Sequence, residues 1–197
     1  MKALAFDFDG VIADTHDLNW GLCEEVGHAV NKEDFMRHHD GNVHAEPTIP
    51  FTEESAKKFF QLYNERVTGV RSFFSVDHLN ELNKNYSLHI VSSNIEVAIN
   101  NYLNHHQLTQ FHEILGMDFD RSKVNKLNYI LSTHKIKKDD LVFITDTLGD
   151  ILEAHEVGVK AIAVDFGFHD RSRLEKGNPH AIVSSFEELK AELEQLN

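Results

Sequence analysis

Apolar residues along this chain fall in short runs rather than in strict alternation with polar ones. The runs are KALAFDF from Lys2, SLHIVSS (Ser87–Ser93), HEILGM (His112–Met117), DLVFITD (Asp140–Asp146), KAIAVD (Lys160–Asp165) and HAIVSS (His180–Ser185). Runs that are apolar on both faces predict strands buried on both sides, as in a parallel sheet covered by helices. Helical periodicity fills the spaces between them. Ser75–Tyr86 puts Val76, Leu79 and Leu82 on one face, and Ile95–Leu108 does the same with Val97, Ile99, Tyr102, Leu103 and His106. Arg121–His134 repeats Val124, Leu127, Ile130 and Leu131 behind a candidate N-cap, Ser122. Leu148–Gly158 stops at a glycine, and SSFEELKAELEQL is an amphipathic helix. Strand and helix in alternation predict an α/β fold, a doubly wound and mostly parallel sheet.

One region breaks that rhythm. Residues 15–74 contain no convincing strand, only helical stretches around the loop HHDGNVHAEPTIPF. The expected organisation is therefore an α/β core of residues 1–14 and 75–197, interrupted after the first strand by a small helical insertion, residues 15–74.

Composition alters this picture little. The hydrophobic fraction of 41% and the charged fraction of 26% are those of an ordinary globular protein. No apolar run approaches the ~20 residues of a spanning helix, so no membrane partner is expected. The first residues read as a strand closed by acids, not as a signal peptide. The lone Cys23 excludes an internal disulfide and fits a cytoplasmic protein. A net charge of −13 with no basic block argues against nucleic acid as a partner. The 14 histidines are numerous, but none shows a zinc-site spacing, and they are expected to be solvated.

The chemistry concentrates at strand ends, where open α/β sheets bind their ligands. The first strand ends in Asp7 and Asp9, the second in Ser92, Ser93 and Asn94, and the fourth in Asp146 followed by Asp150. Lys123 opens the helix before that fourth strand, with Lys126 one turn on. Two or three carboxylates at one edge are too costly to keep charged without a cation. Oxygen donors without cysteine point to Mg²⁺, and the hydroxyls and lysine suit a phosphate. Asp7 and Asp9 cannot face the same way on a regular strand, but Gly10 permits a bend.

These segments resemble the haloacid dehalogenase (HAD) superfamily. DFDGVIADT is similar to its motif I, DxDGxxxDS/T; IVSSN to motif II; SKVNK to the lysine of motif III; and ITDTLGD to motif IV. The tail, AVDFGFHDRSRLEKGNPHAIVSSFEEL, looks like that of phosphoglycolate-phosphatase-like members, and the insertion matches a helical type-1 cap. The resemblance implies a Rossmann-like core and hydrolysis of a small phosphorylated metabolite with Mg²⁺ as cofactor. By that likeness Asp7 is the nucleophile that becomes an aspartyl-phosphate, and Asp9 is the acid and base. Ser92, with Ser93 beside it, and Lys123 would bind the phosphoryl oxygens. Asp7, the main-chain carbonyl of Asp9, and Asp146 would hold the metal. Asp150 is either a further ligand or an anchor, and Lys126 competes with Lys123 for the motif III role. Asp14 and Thr15 are expected to serve the hinge to the cap. Trp20, Arg37, His38, Asn42, His44, His169 and Arg171 are candidates to touch substrate.

The pattern departs from the family in three places. Thr145 stands where Gly or an acid is usual, Val124 follows Lys123 where Pro is frequent, and SFFSV replaces the usual Pro-rich turn back from the cap. A monomer or weak homodimer is expected. Asp9 argues against dehalogenase chemistry. A phosphomutase, or a catalytically idle binding module on the same scaffold, is the alternative reading.

Overall fold

A computed structural model describes residues 2–45 and 47–196. Met1, Glu46 and Asn197, which the two-domain reading includes, lie outside the described residues. Six strands form one wholly parallel sheet: β1 (Lys2–Phe6), β2 (Tyr86–Val91), β3 (Phe111–Leu115), β4 (Leu141–Thr145), β5 (Lys160–Val164) and β6 (Ala181–Val183). Their order is β3-β2-β1-β4-β5-β6, so the chain winds outward from β1 in one direction and from β4 in the other. The order reverses between β1 and β4, and ligand crevices of such sheets open there.

Strand pleating sorts the core into two layers. Leu4 and Phe6 face one side with Leu88, Ile90, Ile144 and Ile162; Ala3 and Ala5 face the other with Val91, Phe143 and Ala161. The first side is covered by α4 (Val76–Leu82), α5 (Glu96–His105) and α9 (Phe186–Gln195), through Leu79, Ile99, Tyr102, Leu189 and Leu193. The second is covered by α6 (Lys123–Thr133) and α7 (Leu148–Val157), through Leu127, Ile130, Ile151 and Ala154. Each fully buried large apolar side chain contributes roughly 1.5–3 kcal/mol, so the two layers supply most of the stability.

The expected punctuation is present. Ser122 accepts a hydrogen bond from the Asn125 amide, and Gly158 ends α7 with φ +79°. The third strand starts one residue earlier than its apolar run, at Phe111. A four-residue helix, α8 (Arg171–Leu174), occupies a polar stretch with no amphipathic signal.

Between β1 and α4 lie α1 (His16–Glu25), α2 (Lys32–Arg37) and α3 (Glu53–Arg66). They share a small core of Cys23, Phe35, Ile49 and Phe168, flanked by Trp20, Phe51 and Phe59. The two crossing segments are tied together: the Phe73 amide donates to the Ile12 carbonyl, and Arg71 Nε meets Asp14 Oδ2 at 2.6 Å. The Ser72 hydroxyl donates to the Phe74 carbonyl at 2.8 Å, with the Ile12 carbonyl as the other acceptor in reach at 3.1 Å, so SFFSV makes its turn with a serine in place of a Pro-rich turn. Asp14 thus serves the hinge as an ion pair rather than as a helix cap.

The helical segment rests on the core at several points. Arg173 Nε meets Asp40 at 2.7 Å, and its Nη2 reaches Glu33 at 3.0 Å. The Gly149 amide donates to the His39 carbonyl. A Cβ at Gly149 would lie 2.5 Å from the Gly41 carbonyl oxygen, so this approach needs a glycine.

Candidate active site

The strand β1 ends at Phe6, which resolves the conflict between Asp7 and Asp9. The Asp7 amide still donates to the Ile144 carbonyl, so Asp7 sits at the last rung of the sheet. The chain then turns: the amides of Ile12 and Ala13 both donate to the Phe8 carbonyl, and Gly10 adopts φ +73°. This turn brings Asp9 to the same mouth as Asp7, and both line one cavity of about 650 Å³. That volume is in the range of small-molecule sites. It opens between the sheet and the helical segment, with Lys123 and Asp150 also on its wall.

Lys123 is 3% exposed, with Nζ 2.8 Å from Asp7 Oδ2 and 2.6 Å from Asp150 Oδ2. Burial disfavours its ammonium, but Asp150 and Asp7 outweigh that and raise its pKa above the ordinary lysine value. Lys126, one turn on, points elsewhere. Its Nζ donates to the Ser92 carbonyl at 2.5 Å, and burial, aided by the Lys123 charge, lowers it to about 8. Of the two lysines, Lys123 is the one at Asp7.

Three buried carboxylates share this edge with one bridging ammonium. Burial raises the Asp7 carboxyl well above its ordinary value despite Lys123, and drives Asp146 up to about 8. Burial also acts on Asp150, but Lys123 and the hydrogen bonds around it hold that carboxyl below its ordinary value. The Thr145 hydroxyl donates to Asp150 Oδ2 at 2.6 Å, so the residue that departs from motif IV anchors the acid that follows it. This geometry favours the anchoring reading of Asp150 over direct ligation.

Asp146 is the acid left in want of a partner. Its Oδ2 accepts from the Phe168 amide at 2.7 Å, while Oδ1, fully buried, has no hydrogen-bond partner. A Cβ on Gly10 would come within 1.9 Å of Asp146 Oδ2, and one on Gly167 within 2.4 Å. The backbone therefore closes on this carboxylate from two sides, an approach that only glycines allow. A buried oxygen without a donor, among further carboxylates, suits a hard divalent cation such as Mg²⁺.

Asp9 is held by donors that sequence patterning did not assign. Thr15 Oγ1 lies 2.7 Å and Tyr63 Oη 2.6 Å from Oδ1, Asn19 Nδ2 lies 3.3 Å from it, and Asn94 Nδ2 lies 3.0 Å from Oδ2. Thr15, expected at the hinge, thus touches the site directly. Burial raises the Tyr63 hydroxyl well above its ordinary value, which keeps it a donor. Tyr63 belongs to an apolar stripe with Phe59 and Val67, where a tyrosine looks like any core aromatic. Asn94 carried a signal, its place directly after the motif II serines.

The remaining expectations divide. Ser92 is fully buried and accepts from the Asn94 amide, while Ser93 and Asn94 form the cavity wall. His38, Asn42 and His44 line the cavity, as do Lys57 and Arg121, which the sequence did not single out. Trp20 and Arg37 do not line it: the indole donates to the Val30 carbonyl, and Arg37 pairs with Asp34. His169 is buried and joins the two parts of the chain. Its Nδ1 accepts from the Leu148 amide, so Nε2 donates to the Met36 carbonyl. Arg171 bonds Asp165 and the Ile182 carbonyl.

The histidines correct the expectation of solvation. His89 and His169 are buried, and only His105, His112, His155 and His180 are freely exposed. Around the cavity, burial lowers His38 to about 4 and His39 to about 3, so both are neutral near pH 7. Among the described residues no helix is long and apolar enough to cross a membrane.

Comparison with known proteins places the chain in a family. The phosphoglycolate phosphatase of Vibrio parahaemolyticus is 24% identical over 217 residues, covering 96% of this chain and 94% of that one. A hydrolase from Pseudomonas syringae shares the fold with a TM-score of 0.80 at 17% identity, covering 100% of both chains. A predicted phosphoglycolate phosphatase from Haemophilus somnus 129PT does so with a TM-score of 0.74 at 19% identity, covering 97% of each. The family model described as haloacid dehalogenase-like hydrolase matches residues 4–164. With that match over most of its length, the chain belongs to the haloacid dehalogenase-like hydrolase family.

Proposed function

We propose that the chain is a Mg²⁺-dependent phosphatase that hydrolyses a small phosphate monoester through an aspartyl-phosphate on Asp7. The observation that carries this reading is Lys123, bridging Asp7 and Asp150 on the wall of a substrate-sized cavity, with the unpaired Oδ1 of Asp146 buried nearby. The relative from Vibrio parahaemolyticus, named a phosphoglycolate phosphatase, supports the same reaction class.

In this reading an Asp7 carboxylate oxygen attacks phosphorus in line, and the bond from phosphorus to the leaving oxygen breaks as the new one forms. Asp9 gives its proton to that leaving oxygen, then takes one from the water that attacks the acyl phosphate. Breaking the phosphorus–Asp7 bond restores the carboxylate and frees inorganic phosphate. Lys123 offsets negative charge on the phosphoryl oxygens as it develops, and Ser93 and Asn94 on the cavity wall offer them donors. Asp7, the Asp9 carbonyl and Asp146 would hold Mg²⁺, which when bound neutralises phosphoryl charge. Asp150 and Thr145 keep the Lys123 ammonium in place. Tyr63 and Asn94 orient the Asp9 carboxyl.

The cavity is also lined by Phe35, Ile49, Phe51, Phe59 and Phe60, with Arg121 and Lys57 as further cations. That lining suits a leaving group with an apolar or aromatic part better than a two-carbon acid. The test is a panel of phosphoglycolate, sugar phosphates, nucleotides and an aryl phosphate, with and without Mg²⁺, for the wild type and Asp7→Asn. Metal-dependent phosphate release that vanishes in the variant is expected. No release from any of them would overturn the assignment, and activity that survives a strong chelator would remove Mg²⁺ from it.

A further inference from the structure

At the opposite end of α6 from Lys123 lies a second group of metal-ligating side chains. We propose that His89, Glu113 and His134 form a site for one divalent transition-metal cation of the zinc class, separate from the catalytic carboxylates. The fold brings them together from three elements. His89 is in mid-β2, its ring on the sheet face that α6 covers. Glu113 is on the edge strand β3, and His134 is the C-cap of α6.

His89 is 0% exposed, and its Nε2 lies 3.1 Å from the Ser87 hydroxyl. Its Nδ1 has no hydrogen-bond partner and lies 3.6 Å from Glu113 Oε2. The same carboxylate oxygen is 3.1 Å from His134 Nε2. A buried ring nitrogen without a partner, turned toward a carboxylate that a second imidazole also approaches, is an arrangement that a cation completes.

The spacing agrees with that. All three ligand atoms lie within 4.8 Å of one another. Bonds of about 2.0–2.1 Å in tetrahedral geometry place ligand atoms about 3.3 Å apart, between the two shorter separations seen here. Two imidazoles and one carboxylate carry a net charge of about −1 in the neutral-ring form that binds a cation. Imidazole nitrogens favour zinc and its neighbours over Mg²⁺, so this site and the oxygen-only site would take different ions. The Ser87 hydroxyl fixes the His89 ring, as partners behind metal-bound histidines generally do. The exposed residue His112 has its ring 5.3 Å from that of His134 and 5.7 Å from that of His89.

Such an ion would clamp the end of α6 to β2 and β3. Eleven residues of α-helix separate His134 from Lys123, about 16 Å, so the ion would not touch the phosphoryl group. Its role is to hold the helix that carries Lys123.

The test is calorimetric titration of chelator-stripped protein with Zn²⁺, in excess Mg²⁺ to saturate the catalytic carboxylates. A parallel Co²⁺ titration reads the absorption of a tetrahedral nitrogen–oxygen site. One ion per chain is expected, with a melting temperature raised by about 5 °C at saturation. His134→Asn and Glu113→Gln, both at partly buried positions, should each weaken binding at least tenfold, and His134→Asn should keep the Mg²⁺-dependent phosphatase activity. Absence of a Zn²⁺ site would overturn the proposal. So would binding that persists in both variants, or binding abolished by Asp146→Asn but not by His134→Asn.

Discussion

Replacing Lys123 by methionine isolates the charge at the centre of the site. The variant keeps most of the side-chain volume but withdraws an ammonium from 2.8 Å and 2.6 Å of two buried carboxylates. Breaking a buried pair from one side costs about 3–5 kcal/mol, because the partner is left charged and unsolvated. Here two partners are stranded, with Asp146 nearby, so the upper half of that range is expected in metal-free buffer near pH 8. The sign of the pH dependence follows from Asp150. In the wild type its carboxyl is held below the ordinary 3.8, so its contribution to stability is present above about pH 4 and lost as pH falls through the folded value. Without Lys123, burial dominates and the folded pKa rises above 3.8. The contribution is then present below about pH 4 and lost as pH rises. The gap between wild type and variant must widen with pH, by up to about 1.4 kcal/mol per unit for each carboxylate that ionises. Urea unfolding followed by circular dichroism, near pH 5.5 and near pH 8, measures it. Asp150→Asn and the double variant close the cycle, and the double should cost about 2 kcal/mol less than the sum of the singles. A gap below about 1 kcal/mol near pH 8, or one that is the same at both pH values, refutes the reasoning.

Gly10→Ala should raise the Mg²⁺ concentration needed for half-maximal activity at least tenfold. Its Cβ would fall 1.9 Å from Asp146 Oδ2, and φ +73° adds about 1–2 kcal/mol of backbone strain. A Mg²⁺ titration of activity identical to the wild type's would show that this approach is unimportant. Tyr63→Phe removes one donor from Asp9 and should lower kcat roughly tenfold with little change in KM. A hydrogen bond to a charged group is worth about 1.5–3 kcal/mol, and about 1.4 kcal/mol corresponds to tenfold in rate. A kcat within twofold of the wild type's would remove Tyr63 from the mechanism.

Much of the core was readable in the chain because its strands are buried on both faces. A run such as LVFIT has few alternatives to a central parallel strand, and its flanking helices carry strong apolar faces and local caps. Ser122 and Gly158 act within one turn of themselves, so neighbours in sequence suffice to identify them. The acids were readable for a related reason. Carboxylates closing an apolar run are costly unless function requires them, so Asp7, Asp9 and Asp146 stand out. Side chains whose role depends on a distant partner carried no such mark. Tyr63 lies 54 positions from Asp9 in the chain and resembles a core aromatic until α3 is folded against the strand ends. His169 looks like a surface residue, yet it is buried between Leu148 and Met36.

Local composition and period thus determined the strands, most of the helices, the inserted segment and the acids at the strand ends. These depend on short-range conformational preference and on which faces must leave water. Only the tertiary structure decided which lysine meets Asp7, which donors hold Asp9, and that Asp150 is tied to Thr145. It alone brought His89, Glu113 and His134 within reach of one another. The physical reason is that hydrogen bonds and ion pairs act over about 3 Å in space. The sheet order, which sets those distances, is a property of the whole packed chain.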